Sequence, residues 1–137
     1  MTELEVLNKR FIFYVNDSMW LAPLSEMSNE ATFEVYNKEL NVPLVSKILN
    51  FLNTEKHLSL ELKSKDLLSN LSTQFWDNTL LNPVFHFSGI TLKDFQREID
   101  FQMLFQMSSK DNDFYDYANW IVDVKDFRIV GVFREQL

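Results

Sequence analysis

The sequence predicts an α+β fold, a mainly antiparallel β-sheet with two helices packed on one face, in a single α+β domain over residues 1–137. Three observations predict it. Short runs on both sides of the chain's middle alternate apolar with polar residues, the period of a strand with one buried face. Between them the period becomes helical, with Leu44, Val45, Ile48, Leu49 and Leu52 on one stripe. A chain of 137 residues that is 46% hydrophobic and holds thirteen Phe can fill one sizeable core but not two.

In chain order, residues 10–15 are apolar on both sides, Phe11, Phe13 and Val15 against Ile12 and Tyr14, and predict a strand covered on both faces. A turn at Asn16-Asp17-Ser18 leads back into a short strand at Met19-Trp20-Leu21, making an opening hairpin. Residues 23–29 read as loop. In residues 31–36, Phe33 and Val35 alternate with Thr32, Glu34 and Tyr36, a strand wet on one side. The first helix begins at Val42, with Asn41 as N-cap and Pro43 in its first turn, and ends near Asn53. Leu58, Leu60 and Leu62 then predict a short strand, after which Ser64 caps a second helix with Leu67, Leu68, Leu71 and Phe75 as its stripe.

Residues 78–83 read as a linker, and Pro83 marks the edge or start of a strand over residues 84–88. Two periods compete after Gly89. A helix through Phe95, Ile99 and Leu104 would spread apolar groups around its circumference, whereas Ile99, Phe101, Met103, Phe105 and Met107 fit period two, so a strand is favoured over residues 97–107. Residues 108–117 read as loop. A terminal hairpin follows, with Trp120, Val122 and Val124 on one face, Ile129, Gly131 and Phe133 on one face of the partner strand, and the reversal at Lys125-Asp126. Gly131 marks a bulge or a close contact.

Twenty Asp and Glu against thirteen Lys and Arg give a net charge of -7, a field that repels nucleic-acid phosphate and anionic lipid and favours a basic protein as partner. The bases fall in scattered pairs, Lys9 with Arg10, Lys63 with Lys65 and Arg128 with Arg134, and no lysine-rich amphipathic stretch appears, so neither nucleic acid nor membrane is expected. Zero Cys removes disulfides, thiolate catalysis and cysteine metal sites, and two Gly leave no phosphate loop. The N-terminus lacks the apolar run of a signal peptide or membrane helix, and a cytoplasmic location is expected.

No catalytic motif is present. Asp111, Asp113 and Asp116 begin like a calcium loop, but Asp116 stands where glycine is needed and Val122 where a bidentate Glu is needed. His57 and His86 have no second ligand at metal spacing and read as surface residues; Ser64, Ser88 and Ser108 lack a strained nucleophile turn. The acid pairs Glu98 with Asp100 and Asp123 with Asp126 have no histidine or orienting arginine beside them. No enzyme activity, cofactor or metal is therefore expected. What remains is the stretch 111–117. There Asp111, Asp113 and Asp116 would steer a basic partner while Tyr115 and Tyr117 supply anchoring area, unless Phe114 and Tyr117 tuck inward and the acids merely solvate a loop. Glu34, Tyr36 and Glu39 extend the patch if the first and last hairpins are neighbours.

In size, acidity, absence of cysteine, α+β pattern and the acidic aromatic stretch ahead of Trp120-Ile121-Val122-Asp123-Val124, the chain resembles the small immunity proteins of bacterial polymorphic or contact-dependent toxin systems. The resemblance implies a cytoplasmic protein that binds a cognate toxin, often a basic nuclease, and covers its active or essential surface. It carries no catalytic residue and leaves the oligomeric state open. Two alternatives stand beside it: a small acidic secretion chaperone, whose usual opening helix is replaced here by a strand pattern, and a small-molecule-binding or hydrolytic domain with its pocket between helices and sheet.

Overall fold

Eight strands pair in the order in which the chain makes them. The computed structural model describes residues 2–28, 30–77, 82–95, 98–109 and 115–136. Strands β1 (Glu3–Val6), β2 (Lys9–Tyr14), β3 (Met19–Pro23) and β4 (Thr32–Tyr36) form an antiparallel meander. Helices α1 (Val42–Leu52) and α2 (Glu55–Ser72) follow, and β5 (Pro83–Lys93), β6 (Phe101–Ser109), β7 (Tyr115–Lys125) and β8 (Arg128–Glu135) form a second meander. The meanders join through one parallel pairing, β4 with β5, which requires a crossover, and the two helices are that crossover. The fold is thus α+β, with α1 and α2 packed against one face of a mixed sheet.

Local chemistry accounts for most element boundaries. Asn41 caps α1 by accepting a hydrogen bond from the Leu44 backbone N–H at 3.2 Å, with Pro in the first turn. The last hairpin reverses at Asp126-Phe127, one residue later than expected, with both residues at positive φ (50° and 58°) as a two-residue turn requires. Gly89 sits at the seam. Its φ is 153°, and a Cβ there would lie 2.3 Å from the Thr32 carbonyl oxygen, so only glycine lets β5 approach β4 at this point. Gly131 instead accompanies a bulge: Asp123 pairs with Gly131 and Val124 with Ile129, leaving Val130 unpaired. The bulge returns Ile129 to the helix-facing side, so it does not share a face with Gly131 and Phe133 as the alternation suggested.

The core lies between the helices and the sheet. Phe11, Phe33, Phe101, Phe105, Met103 and Trp120 from the strands meet Val45, Ile48 and Leu68 from the helices, all without exposed surface. Each large apolar side chain so buried contributes about 2–3 kcal/mol before entropy is charged. Among the described helices, none is long and apolar enough to cross a membrane.

Several expectations are corrected. The first strand is covered on one face only, since Ile12 and Tyr14 are 37% and 44% exposed. A strand precedes it, with Leu4 and Val6 turned inward. Leu58, Leu60 and Leu62 lie in α2, where only Leu60 is buried; Leu58 and Leu62 face solvent. The buried stripe of α2 is His57, Leu60, Ser64, Leu68 and Ser72, a helical period hidden by three polar members. Ser64 therefore caps nothing. Its hydroxyl donates to the Leu60 carbonyl at 2.7 Å, one turn back. Leu67 and Phe75, assigned to the stripe, are largely exposed. The strand over residues 84–88 continues through Gly89 to Lys93, and residues 108–109 and 115–117, read as loop, belong to β6 and β7.

Replacing Gly89 by Ala is expected to lower unfolding stability by about 3 kcal/mol or more, while Gly131→Ala changes it by less than about 1 kcal/mol, because a Cβ there meets only ordinary contacts. Urea unfolding of the two variants measures both.

Candidate functional site

The face of the sheet turned away from the helices carries all four tyrosines of the chain. Register sets this: Phe13, Val35, Asp116 and Ala118 turn to the helix side, so Tyr14, Tyr36, Tyr115 and Tyr117 turn to the other. They are 44%, 42%, 40% and 76% exposed, whereas most described Phe are in the core or packed on it. Tyr115 and Tyr117 pack edge to face at 4.8 Å. Two residues further along the same face of β7, Asn119 and then Ile121 line a cavity of about 310 Å³ with Glu34 and Tyr36 of β4 and Glu135 of β8. The two meanders thus contribute to one surface. Its floor is closed by Ile121 and by a buried pair in which the Gln102 amide donates to Asp123 Oδ1 at 2.9 Å.

Tyr36 donates its hydroxyl hydrogen to Glu34 Oε2 at 2.7 Å. Partial burial, that hydrogen bond and the charges of Glu34 and Asp17 push its phenol up to about 12, so it remains a donor at any physiological pH. Burial, Tyr117, Glu30 and Asp116 likewise raise Tyr115. Glu34, Glu135 and Glu30 make the surroundings acidic, with Lys93 as the counter-charge in the cavity.

Structure separates the other sequence-derived candidates. Asp116 points to the helix side and is 5% exposed. Arg134 grips it through two hydrogen bonds of 2.9 Å, Nε to Oδ2 and Nη2 to Oδ1, and Trp120 Nε1 donates to Oδ2 at 2.8 Å. The Arg134 guanidinium in turn lies over Phe75, Trp76 and Trp120, 5.1, 5.4 and 5.8 Å from the ring centroids. Asp116 is therefore an internal anion that ties β7 to β8, and its expected role as a contact for a partner is corrected. Burial pushes its carboxyl up, but the hydrogen bonds from Arg134 and Trp120 outweigh this and leave it below the ordinary carboxylate range. Glu39 lines a separate groove with Asn37, Asn41 and Asp94 beyond the end of β4. Asp111 and Asp113 lie outside the described residues.

The histidines also part company. His86 is exposed, and its Nε2 lies 3.1 Å from Ser108 Oγ across the β5–β6 pair, where among the described residues no carboxylate holds the other ring nitrogen. His57, expected at the surface, has no exposed area. It is wedged edge to face against Phe51 and Phe87, and neither ring nitrogen has a hydrogen-bond partner. Burial lowers its pKa against a smaller opposing effect of Glu61. Of the residues singled out in the sequence, Glu34, Tyr36, Tyr115 and Tyr117 lie on this face, and Tyr14, Asn119 and Glu135, which the sequence reading did not single out, share it. The available signal was the partition of aromatic types, Phe against Tyr at alternate strand positions. Comparison with protein-family models, curated proteins and solved structures gives no match.

Two pH effects follow. A folded-state pKa below the ordinary histidine value near 6.5 means that the unfolded chain takes up the proton first, so stability falls as pH drops below about 6.5. The Asp116 contribution, from a depressed carboxylate, is complete above about pH 4 and is lost below it. In thermal melts across pH, His57→Leu is expected to flatten the first decline and leave the second. Arg134→Met, which strands the buried Asp116 carboxylate, is expected to cost about 3–5 kcal/mol at pH 7.

Proposed function

We propose that this chain is a protein-binding inhibitor that neutralises a basic, nuclease-like toxin domain in the cytoplasm by covering its active or essential surface, as immunity proteins do. The observation that carries this reading is the gathering of all four tyrosines, with Glu34 and Glu135, on the sheet face that the helices leave free. Tyrosine offers a large, stiff contact area with a polar tip, and so recurs where one protein grips another. Carboxylates around such rings speed encounter with a basic surface and select against acidic ones. The helix–sheet layer is filled by apolar side chains, which favours this reading over a ligand pocket between helices and sheet.

Mechanistically the inhibitor acts by occupancy. Glu34 and Glu135 would meet Lys or Arg groups that otherwise hold phosphate, while Tyr117, the most exposed ring, would sit in a recess of the partner. Tyr36, whose one hydroxyl hydrogen is held by Glu34, would offer its oxygen to a Lys or Arg of the partner as an acceptor.

Co-expression with the product of the adjacent reading frame, followed by affinity purification and titration, tests the reading. A stoichiometric complex with a basic domain is expected, together with rescue of the host. Paired reversal of Glu34 and Glu135 to Lys should slow association by about tenfold at low salt, and Tyr117→Ala should weaken binding by about 2 kcal/mol, mainly through faster dissociation. Absence of a complex at micromolar concentration, or full protection by both variants, would sink it.

A further inference from the structure

A second surface, on the helix side of the molecule, has the opposite character. Two adjoining grooves of about 540 and 550 Å³ flank Phe127 at the tip of the last hairpin, and both include Phe127 and Arg128 in their walls. The first is lined by Leu60, Lys63, Asp66, Leu67 and Ile129; the second adds Lys47, Phe51 and Lys56. Four bases therefore face two acids, Asp66 and Asp126, in a chain whose overall charge is -7. Elsewhere the described bases that reach an acid form ion pairs, Lys9 with Glu26, Arg10 with Glu3, Lys125 with Glu98 and Arg134 with Asp116. Among the described residues Lys47, Lys56, Lys63 and Arg128 are exposed and in no ion pair, Lys47 lying 5.7 Å from the centroid of the Phe127 ring, and Asp126 already acts on Lys125.

The middle of this surface is built at a cost. Phe127 is held at φ 58°, where a bulky side chain is strained, and its ring is kept there by stacking on Phe51 at 4.5 Å and by packing near Phe101. A smaller residue would satisfy the turn. The aromatic ring instead supplies the partition between the two grooves, with Leu60, Leu67 and Ile129 as apolar floor beside it.

We propose that these grooves form a docking site for an acidic polypeptide segment that carries apolar side chains at intervals. Charge complementarity selects the sign of the occupant, since four bases against two acids make this surface locally positive and attract carboxylates, while the field elsewhere on the molecule repels them. The apolar floor selects a polypeptide over nucleic acid: Leu67, Leu60 and Ile129 offer phosphate nothing, and two acids within the grooves together with the net charge oppose a dense polyanion. This surface lies on the helix side, away from the tyrosine face, and stands independently of the inhibitor reading.

Fluorescence anisotropy of the full chain against a short dye-labelled Glu-rich peptide with interspersed Leu provides the test. Saturable, salt-sensitive binding is expected, weakened at least about tenfold by the paired variant Lys56→Glu with Arg128→Glu and by Leu67→Glu, and not weakened by the paired variant Glu34→Lys with Glu135→Lys. All the altered side chains lie at the surface or on a groove wall, and circular dichroism checks that each variant is folded. Absence of saturable binding, equal binding by the folded charge-reversal or Leu67→Glu variant, or tighter binding of a dye-labelled single-stranded DNA oligonucleotide than of the peptide would overturn the proposal.

Discussion

The parallel pairing of β4 with β5 is the constraint on which everything else rests. Each antiparallel meander pairs strands that are neighbours in sequence, but neither buries a face unless the two are joined edge to edge beneath the helices. The joint runs from Thr32 opposite Gly89 to Tyr36 opposite Lys93, and it starts where a Cβ would collide with backbone. Because α1 and α2 are the connection across it, their packing on the sheet and the seam itself are one cooperative event. The same joint brings Glu34 and Tyr36 of the first meander to the surface shared with Asn119, Ile121 and Glu135 of the second.

Where one periodicity dominated, the sequence was easily read. Asn41, Pro43 and the Leu44 to Leu52 stripe gave α1, and Phe33 with Val35 gave β4, because local signals and burial agreed there. The second helix was missed at its start because its inward stripe includes His57, Ser64 and Ser72, while Leu58 and Leu62 advertise a face that is in fact solvated. Each inward serine satisfies its own hydroxyl within the helix, Ser64 on Leu60 and Ser72 on Ser69, a possibility invisible to hydrophobic patterning. Asp116 failed as a surface acid for a related reason. Its partner Arg134 is eighteen residues away and reaches it only once β7 and β8 have paired.

Charge is distributed by layer. Carboxylates and tyrosines occupy the free sheet face, bases gather around Phe127 on the helix side, and the buried Asp116–Arg134 ion pair is wrapped in aromatic rings between them. That inner pair contributes little net stabilisation over an apolar replacement, since desolvation offsets its attraction, but it fixes which residues of β7 and β8 stand opposite each other. Register is what matters, because a slip of one residue would exchange Tyr115 and Tyr117 with Asp116 and Ala118.

The strand order leaves β1 and β8 as the two borders of the sheet, and the bulge at Val130 shapes the second of them. A border strand with regular, unpaired amides invites another chain to extend the sheet. At β8 the extra residue breaks the ladder midway, with Arg128 and Arg134 on either side, and β1 is only four residues long with two of them Glu. Strand addition is thereby discouraged at both borders, which leaves the broad faces, with their side chains, as the larger surfaces the sheet presents.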